Sequence, residues 1–318
     1  MKAILVPKPG GPEALVYGES PDPVPADGEV VVCVRATAVN RADLLQAAGK
    51  YPPPPGASEI LGLEAAGEVE GTNERVFFLL TGGGYAEKVA VPRGMLMAIP
   101  PGMKFEEAAA IPEAWFTAYL NLFREAGLKK GETVLVHAAA SGVGTAAIQL
   151  AKRAGARVVA TVRSAAKSAS LTALGADLVV DSRERNFAVA IAESLGPAPP
   201  VDVVLDPVGG ETLGKNVSLM RPGGRFVLIA TMGGGIANLD LRTLLIRRLR
   251  LIGSTLRARP LAEKLDLTAA FVRDVLPGFA DGSLAPVVDT VMPLERAADA
   301  HRRMAENANV GKIVLKVT

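Results

Sequence analysis

The residues best placed to do chemistry lie between Thr133 and Lys152, where the apolar run Val134 to Val136 runs into a turn of small residues and then an Ala-rich helical pattern. A strand, a tight turn and a helix in that order seat a pyrophosphate on the helix N-terminus, where backbone N–H groups lack partners and the helix dipole favours negative charge. The contact is expected over Ala140, Ser141, Gly142, Val143 and Gly144. Two registers of the glycine fingerprint fit. Gly142, Gly144 and Ala147 match it directly, and Ala139, Ser141 and Gly144 match it displaced by three residues. About twenty residues further on, a dinucleotide fold that uses NAD places Asp or Glu to hold the ribose 2'-hydroxyl. Here the run Ala156 to Val162 ends at Arg163, with Lys167 close behind. Cations at that strand end would meet a 2'-phosphate, which argues for NADPH. Two solvated charges at the start of a surface helix are the plainer alternative.

The remaining polar chemistry is sparse. One cysteine, Cys33, and two histidines, His137 and His301, exclude an intramolecular disulfide and argue against a Cys-rich or His-rich metal site. Cys33 sits in the apolar run Val30 to Val34 and reads as a small core residue, and His137 reads as a satisfied histidine at a strand end. A net charge of +2 over 318 residues supplies no strong field for nucleic acid or an anionic membrane. Arg247, Arg248 and Arg250 alternate with Leu249, Leu251 and Ile252, as in a strand. Met1 opens directly onto strand-like sequence and no apolar run is long enough to span a bilayer, so a cytoplasmic protein is expected.

The elements that must position these residues fall into two kinds. Up to about Pro112, short β runs (Lys2 to Val6, Glu29 to Ala38, Gly67 to Glu70, Arg75 to Leu80, Tyr85 to Val91) alternate with Gly and Pro turns, and the helical pattern Arg41 to Ala47 interrupts them. A helix is expected over Glu106 to Glu125, followed by strands at Val134, Ala156, Leu178, Val201 and Arg225, each leading into a helix: the rhythm of a parallel sheet covered on both faces. The run Arg248 to Leu256 adds a sixth strand, at the sheet edge, where pairing with a second copy would give a homodimer. A long helix from Leu261 to Phe279 precedes β text at Val287 to Val291, a helix from Leu294 to Glu306 and a last strand, Gly311 to Val317. The fold class is α/β. A β domain over 1–115, completed by 283–318, is expected to hold an inserted nucleotide-binding domain over 116–282, with the active cleft between the two.

The block Asn40 to Gly67, with Ile111 to Tyr119, Ser141 to Leu150, Met232 to Gly235 and Asn309 to Leu315, resembles the zinc-free, zeta-crystallin-like quinone oxidoreductases of the medium-chain dehydrogenase/reductase superfamily. The nearest subgroup is the tumour-suppressor-inducible type. The resemblance covers essentially the whole chain and implies a GroES-like catalytic domain, a Rossmann domain and NADPH-dependent reduction of quinones. Zinc-using cousins carry Cys where Asn40 stands and His where Leu63 stands, so no metal is expected. By the same resemblance Asn40 and Tyr51 would line the acceptor side, the Tyr51 hydroxyl donating to the acceptor oxygen as charge develops there. Thr117, Met232, Gly233 and Asn309 would reach the cofactor. Ser182 stands where relatives often place a Tyr near the 2'-phosphate, with Arg183 as its possible replacement, and the stretch Val69 to Val76 is shorter than in those relatives. Two readings compete with quinone reduction: reduction of activated double bonds in enones or enoyl thioesters, and NADPH binding without catalysis. A variant of the latter binds RNA, but no aromatic and basic single-strand groove is visible.

Overall fold

The computed structural model describes residues 1–196 and 198–318, which form two compact units: Met1–Phe116 with Leu256–Thr318, and Thr117–Thr255. The second unit is a six-stranded parallel sheet. Its strands in chain order are Thr133–Val136, Arg157–Val162, Leu178–Asp181, Val201–Asp206, Met220–Leu228 and Arg250–Gly253. In space they lie third, second, first, fourth, fifth and sixth. The order reverses between Thr133–Val136 and Val201–Asp206, which pair directly. At such a reversal the crossovers leave to opposite faces and open a crevice beyond the strands' carboxyl ends. Val134, Leu135, Val136, Val158, Val159, Val203 and Val204 are all buried. That near-continuous apolar text is what a sheet covered on both faces requires.

The first unit is built on a mostly antiparallel sheet in the order Val288–Pro293, Lys312–Lys316, Glu29–Ala38, Glu64–Val69, Arg75–Leu79 and Met97–Ala98, with Lys88–Pro92 also paired to Glu29–Ala38. The final strand Lys312–Lys316 runs antiparallel to Glu29–Ala38. The C-terminal segment thus completes the N-terminal sheet.

Several features differ from the sequence expectation, among them the helix expected over Leu261 to Phe279, which breaks before Pro277 into Leu261–Asp274 and Leu276–Ala280. The helix expected over Glu106 to Glu125 is broken into Phe105–Ala108, Pro112–Tyr119 and a π-helical turn, Leu120–Glu125; Pro112 lacks an N–H and starts a helix rather than continuing one. Return to the first unit comes at Leu256, earlier than 283. There the helix Leu261–Asp274 stacks Phe271 on Phe116, with ring centroids 4.4 Å apart, and sets Thr268 against the Met95 sulfur. Cys33 is half-buried between the buried Val32 and Val34, so strand alternation turns it to the opposite face from the core. A strand Val16–Glu19, which the sequence did not announce, pairs with Lys2–Leu5. Among the described residues no helix is long and apolar enough to cross a membrane.

Candidate active site

In the second unit the chain leaves the strand Thr133–Val136 through Ala138, whose φ of 48° is a left-handed conformation that costs a non-glycine residue on the order of 1 kcal/mol or more. Ser141 then caps the helix Gly142–Arg153. Its hydroxyl oxygen accepts from Gly144 N at 3.1 Å and its carbonyl accepts from Thr145 N at 2.9 Å. Among the described residues the N–H groups of Gly142 and Val143 at the helix start have no acceptor. A Cβ on Gly144 would come within 2.4 Å of the Ala139 carbonyl oxygen. Close packing of helix on turn therefore falls on Gly144, which selects the Ala139, Ser141, Gly144 register over the one beginning at Gly142. A small-residue cradle at a helix N-terminus fits a dinucleotide pyrophosphate.

His137 is fully engaged beneath this turn. Nδ1 lies 2.8 Å from Thr161 Oγ1 and Nε2 lies 2.7 Å from Asn216 Oδ1, while the Asn216 amide donates to Asp206 Oδ2 at 3.2 Å. Since the Asn216 nitrogen donates, its oxygen accepts from Nε2–H, and Nδ1 accepts from the Thr161 hydroxyl. Burial pushes the imidazole pKa down despite the nearby Asp206, which suits this neutral form. His137 is thus the satisfied strand-end histidine that the sequence suggested. Asp206 in turn accepts from Val208 N at 2.5 Å and Gly209 N at 3.2 Å, shaping the turn after the fourth strand. That turn is stitched to the next: Met232 N donates to Pro207 O at 3.2 Å and Gly233 N to Val208 O at 2.7 Å. A Cβ on Gly210 would sit 2.6 Å from the Gly233 carbonyl oxygen, so side chains are excluded where the two turns touch. Met232 and Gly233 therefore occupy the carboxyl end of the sheet, beside its reversal.

Arg163 is exposed directly after the strand Arg157–Val162 and has no hydrogen-bond or ion-pair partner among the described residues. Lys167 ends the short 3-10 turn Ala165–Lys167 that follows. Ser182 lies beside them, but its hydroxyl hydrogen is given to Val162 O at 2.9 Å. Thr117 is the first residue of this unit, and its carbonyl accepts from the Asn121 amide at 2.8 Å.

The first unit carries a buried ionic cluster. The Lys312 ammonium donates to Glu64 Oε1 at 2.6 Å, Asn40 Oδ1 at 2.6 Å and Val39 O at 3.0 Å. Asn40 Nδ2 donates to the same Glu64 oxygen at 2.8 Å, and Glu113 N donates to Glu64 Oε2 at 2.8 Å. Asn40 also precedes the helix Arg41–Ala47, its N–H donating to Asp43 Oδ2 at 2.7 Å. Burial raises the Asp43 pKa to about 6, although Asp43 also accepts from Gly62 N and from the Tyr85 hydroxyl. Tyr85 contacts His301, whose pKa burial lowers to about 4. Tyr51 is half-buried, with the Arg257 guanidinium 5.3 Å from its ring centroid. Burial raises its phenol pKa; Arg257 opposes and Glu113 adds to that shift. Asn309, just before the last strand, donates from its amide to Gly311 O at 2.7 Å.

Sequence reasoning missed Glu64, Lys312, Glu113, Arg257 and Lys264. Glu113 carried the one available signal: a lone carboxylate in the small and apolar run Ala108 to Ala118.

A family model described as alcohol dehydrogenase GroES-like domain matches residues 26–101, and one described as zinc-binding dehydrogenase matches residues 142–270. Pig quinone oxidoreductase is 32% identical over 99% of this chain and 97% of its own. The crystal structure of the quinone oxidoreductase from Thermus thermophilus, also solved as its complex with NADPH, is 36% identical and superposes with a TM-score of 0.85 over 99% of this chain and 100% of its own. JamJ enoyl reductase is 28% identical, with a TM-score of 0.87 over 100% and 99% of the two chains. The chain therefore belongs to the zinc-free quinone oxidoreductase-like group of the medium-chain dehydrogenase/reductase superfamily. Its first unit is the GroES-like domain and its second the Rossmann-type domain, and it is an NAD(P)-dependent oxidoreductase.

Although one family model is named for zinc, the residues do not fit a catalytic zinc. Leu63 offers no donor atom, the Asn40 amide is committed to Lys312 and Glu64, and the Lys312 ammonium supplies positive charge within the cluster. Zinc would have to bind beside that cation with a ligand set lacking Cys and His.

Proposed function

We propose that this protein reduces quinones with NADPH, without a metal. The observation that carries this reading is the pair Arg163 and Lys167 at the strand end where an NAD-specific fold needs a carboxylate, with Arg163 exposed and unpaired among the described residues. Bound reduced nicotinamide supplies the hydride and both electrons. The chain's residues bind and align. Ala140 to Gly144 hold the pyrophosphate, Arg163 and Lys167 the 2'-phosphate with Ser182 bordering it, and Thr117, Met232, Gly233 and Asn309 the remainder of the coenzyme. Tyr51 donates to the acceptor oxygen, and Asn40, held from both sides by Lys312 and Glu64, fixes the wall beside it.

Similarity to JamJ enoyl reductase favours a second reading, reduction of activated double bonds. NADPH oxidation with 1,2-naphthoquinone, a simple enone and crotonyl-CoA, measured side by side, separates them. The quinone is expected to give the highest kcat/KM. A higher value for crotonyl-CoA would transfer the assignment to enoyl reduction, and saturable NADPH binding with no turnover of any acceptor would leave a binding protein.

A homodimer is the quaternary structure that the sheet edge supports. Among the described residues the strand Arg250–Gly253 pairs on one side only, and the preceding helix Leu241–Ile246 exposes Leu241, Leu245 and Ile246. An apolar surface beside an open edge suits a second copy of the chain. Sedimentation is expected to give a dimer that Leu245→Glu converts to monomer. A single 33.0 kDa species for the unaltered protein would refute this.

A further inference from the structure

In the first unit one buried donor atom, Arg257 Nη1, and one carboxyl, that of Glu113, have no hydrogen-bond partner among the described residues. Arg257 is 3% exposed; its Nε donates to Thr81 O at 2.8 Å and its Nη2 to Gln46 Oε1 at 2.7 Å, but its buried Nη1 has no hydrogen-bond partner. A charged donor left buried and unsatisfied loses its hydration with nothing in return, so such an atom needs an explanation. The second group is the Glu113 carboxyl. It is half-buried in the first turn of the helix Pro112–Tyr119, and its backbone N–H donates to Glu64 Oε2 at 2.8 Å. The Arg257 guanidinium lies 5.3 Å from the Tyr51 ring centroid, and the Glu113 backbone is tied to Glu64, the carboxylate that also holds Asn40; Arg257 opposes and Glu113 adds to the rise in the Tyr51 phenol pKa.

Resting on the hydride-transfer reading above, we propose that Arg257 and Glu113 complete a carbonyl-activating pocket with Tyr51: Arg257 Nη1–H binds the acceptor oxygen, and Glu113 gives that oxygen its proton. A quinone that takes up hydride gains two electrons and one hydrogen while the nicotinamide is oxidised, which leaves an oxyanion on the acceptor. The O–H bond of Glu113 breaks, its electron pair stays on the carboxylate, and the proton bonds to the oxyanion to give the hydroquinone. Glu113 then recovers a proton from water. With an enone the same proton would give the enol.

The surroundings keep Glu113 in the acid form that this step requires. Burial first, then Glu64 and Asp43, raise its pKa to about 8, against the opposing pull of Lys312 and Arg257. Lys264, on the helix Leu261–Asp274, and Tyr51 are the other ionisable groups that sense it. Neutral Glu113 predominates below about pH 8 and is lost above it, so the acid is present at neutral pH. Arg257 keeps its charge throughout.

The test uses Glu113→Gln and Arg257→Lys in the full chain, with two readouts. In the coenzyme-free protein, 13C-glutamate NMR should show one carboxyl titrating near pH 8 that is missing from Glu113→Gln, and 4-nitrophenolate, an oxyanion probe, should bind with an affinity that Arg257→Lys reduces at least tenfold. In turnover, Glu113→Gln should lower kcat at least a hundredfold, abolish its basic limb and leave the coenzyme Kd unchanged. Retention of kcat and of the basic limb in Glu113→Gln, or phenolate binding indifferent to Arg257→Lys, overturns the pocket. Absence of turnover in the unaltered protein instead defeats the hydride-transfer reading on which the pocket rests.

Discussion

Lys312→Met is expected to destabilise the GroES-like unit by about 3–5 kcal/mol, the range found when one partner of a buried ion pair is removed. Glu64 is fully buried and Lys312 is 4% exposed, so water cannot take over the lost interaction. The substitution removes three donated hydrogen bonds at once, to Glu64, Asn40 and Val39. Glu64 would keep its bonds from Asn40 Nδ2 and Glu113 N but would lose the only cation in contact with it among the described residues. At about 2–4 °C per kcal/mol for a unit of this size, the shift is on the order of 10 °C in Tm. Thermal unfolding followed by circular dichroism measures it. Adding Glu64→Gln to Lys312→Met should recover part of the loss, because the stranded charge is then gone. An unchanged Tm in the single variant would mean that the cluster contributes nothing to the unit's stability.

Replacing Arg163 and Lys167 together by Ala is expected to weaken NADPH about a hundredfold and NADH less than threefold. Each charge-assisted hydrogen bond to a phosphate contributes about 1.5–3 kcal/mol, and the unsubstituted ribose hydroxyl engages neither cation. Arg163 lies free of partners among the described residues, so no internal ion pair of its own offsets the change. Ser182 cannot compensate while its hydroxyl hydrogen is held by Val162 O. Equal losses for the two coenzymes would refute the 2'-phosphate assignment.

What could be read from the sequence was what is local along the chain. The turn Ala138 to Gly144 lies between a strand and a helix contiguous with it, so the periodicity brackets the site; only the glycine register stayed open, because it depends on how near Gly144 comes to Ala139. The strand Glu29–Ala38 and the helix Arg41–Ala47 were legible because the apolar run Val30 to Val34 marks the one and a change of period after Ala38 the start of the other. The strand Val16–Glu19 was hidden by its exposure and by Gly18, which left no alternation to read. The buried cluster was illegible for a different reason. Asn40, Glu64, Glu113 and Lys312 come from four elements or loops scattered over the chain, and no spacing rule joins them. Lys312 in particular sits in a final strand whose apolar pattern hides a buried cation: Ile313, Val314 and Leu315 follow it directly.

The central claim, a reduced dinucleotide held through its 2'-phosphate, is tested most directly by titrating the purified, coenzyme-free protein with NADPH and NADH side by side, following nicotinamide fluorescence at fixed ionic strength. Saturable NADPH binding at least tenfold tighter than NADH, with the preference abolished in the Arg163→Ala, Lys167→Ala variant, is the result expected. Equal affinities in the unaltered protein, or no saturable binding of either coenzyme, would contradict it.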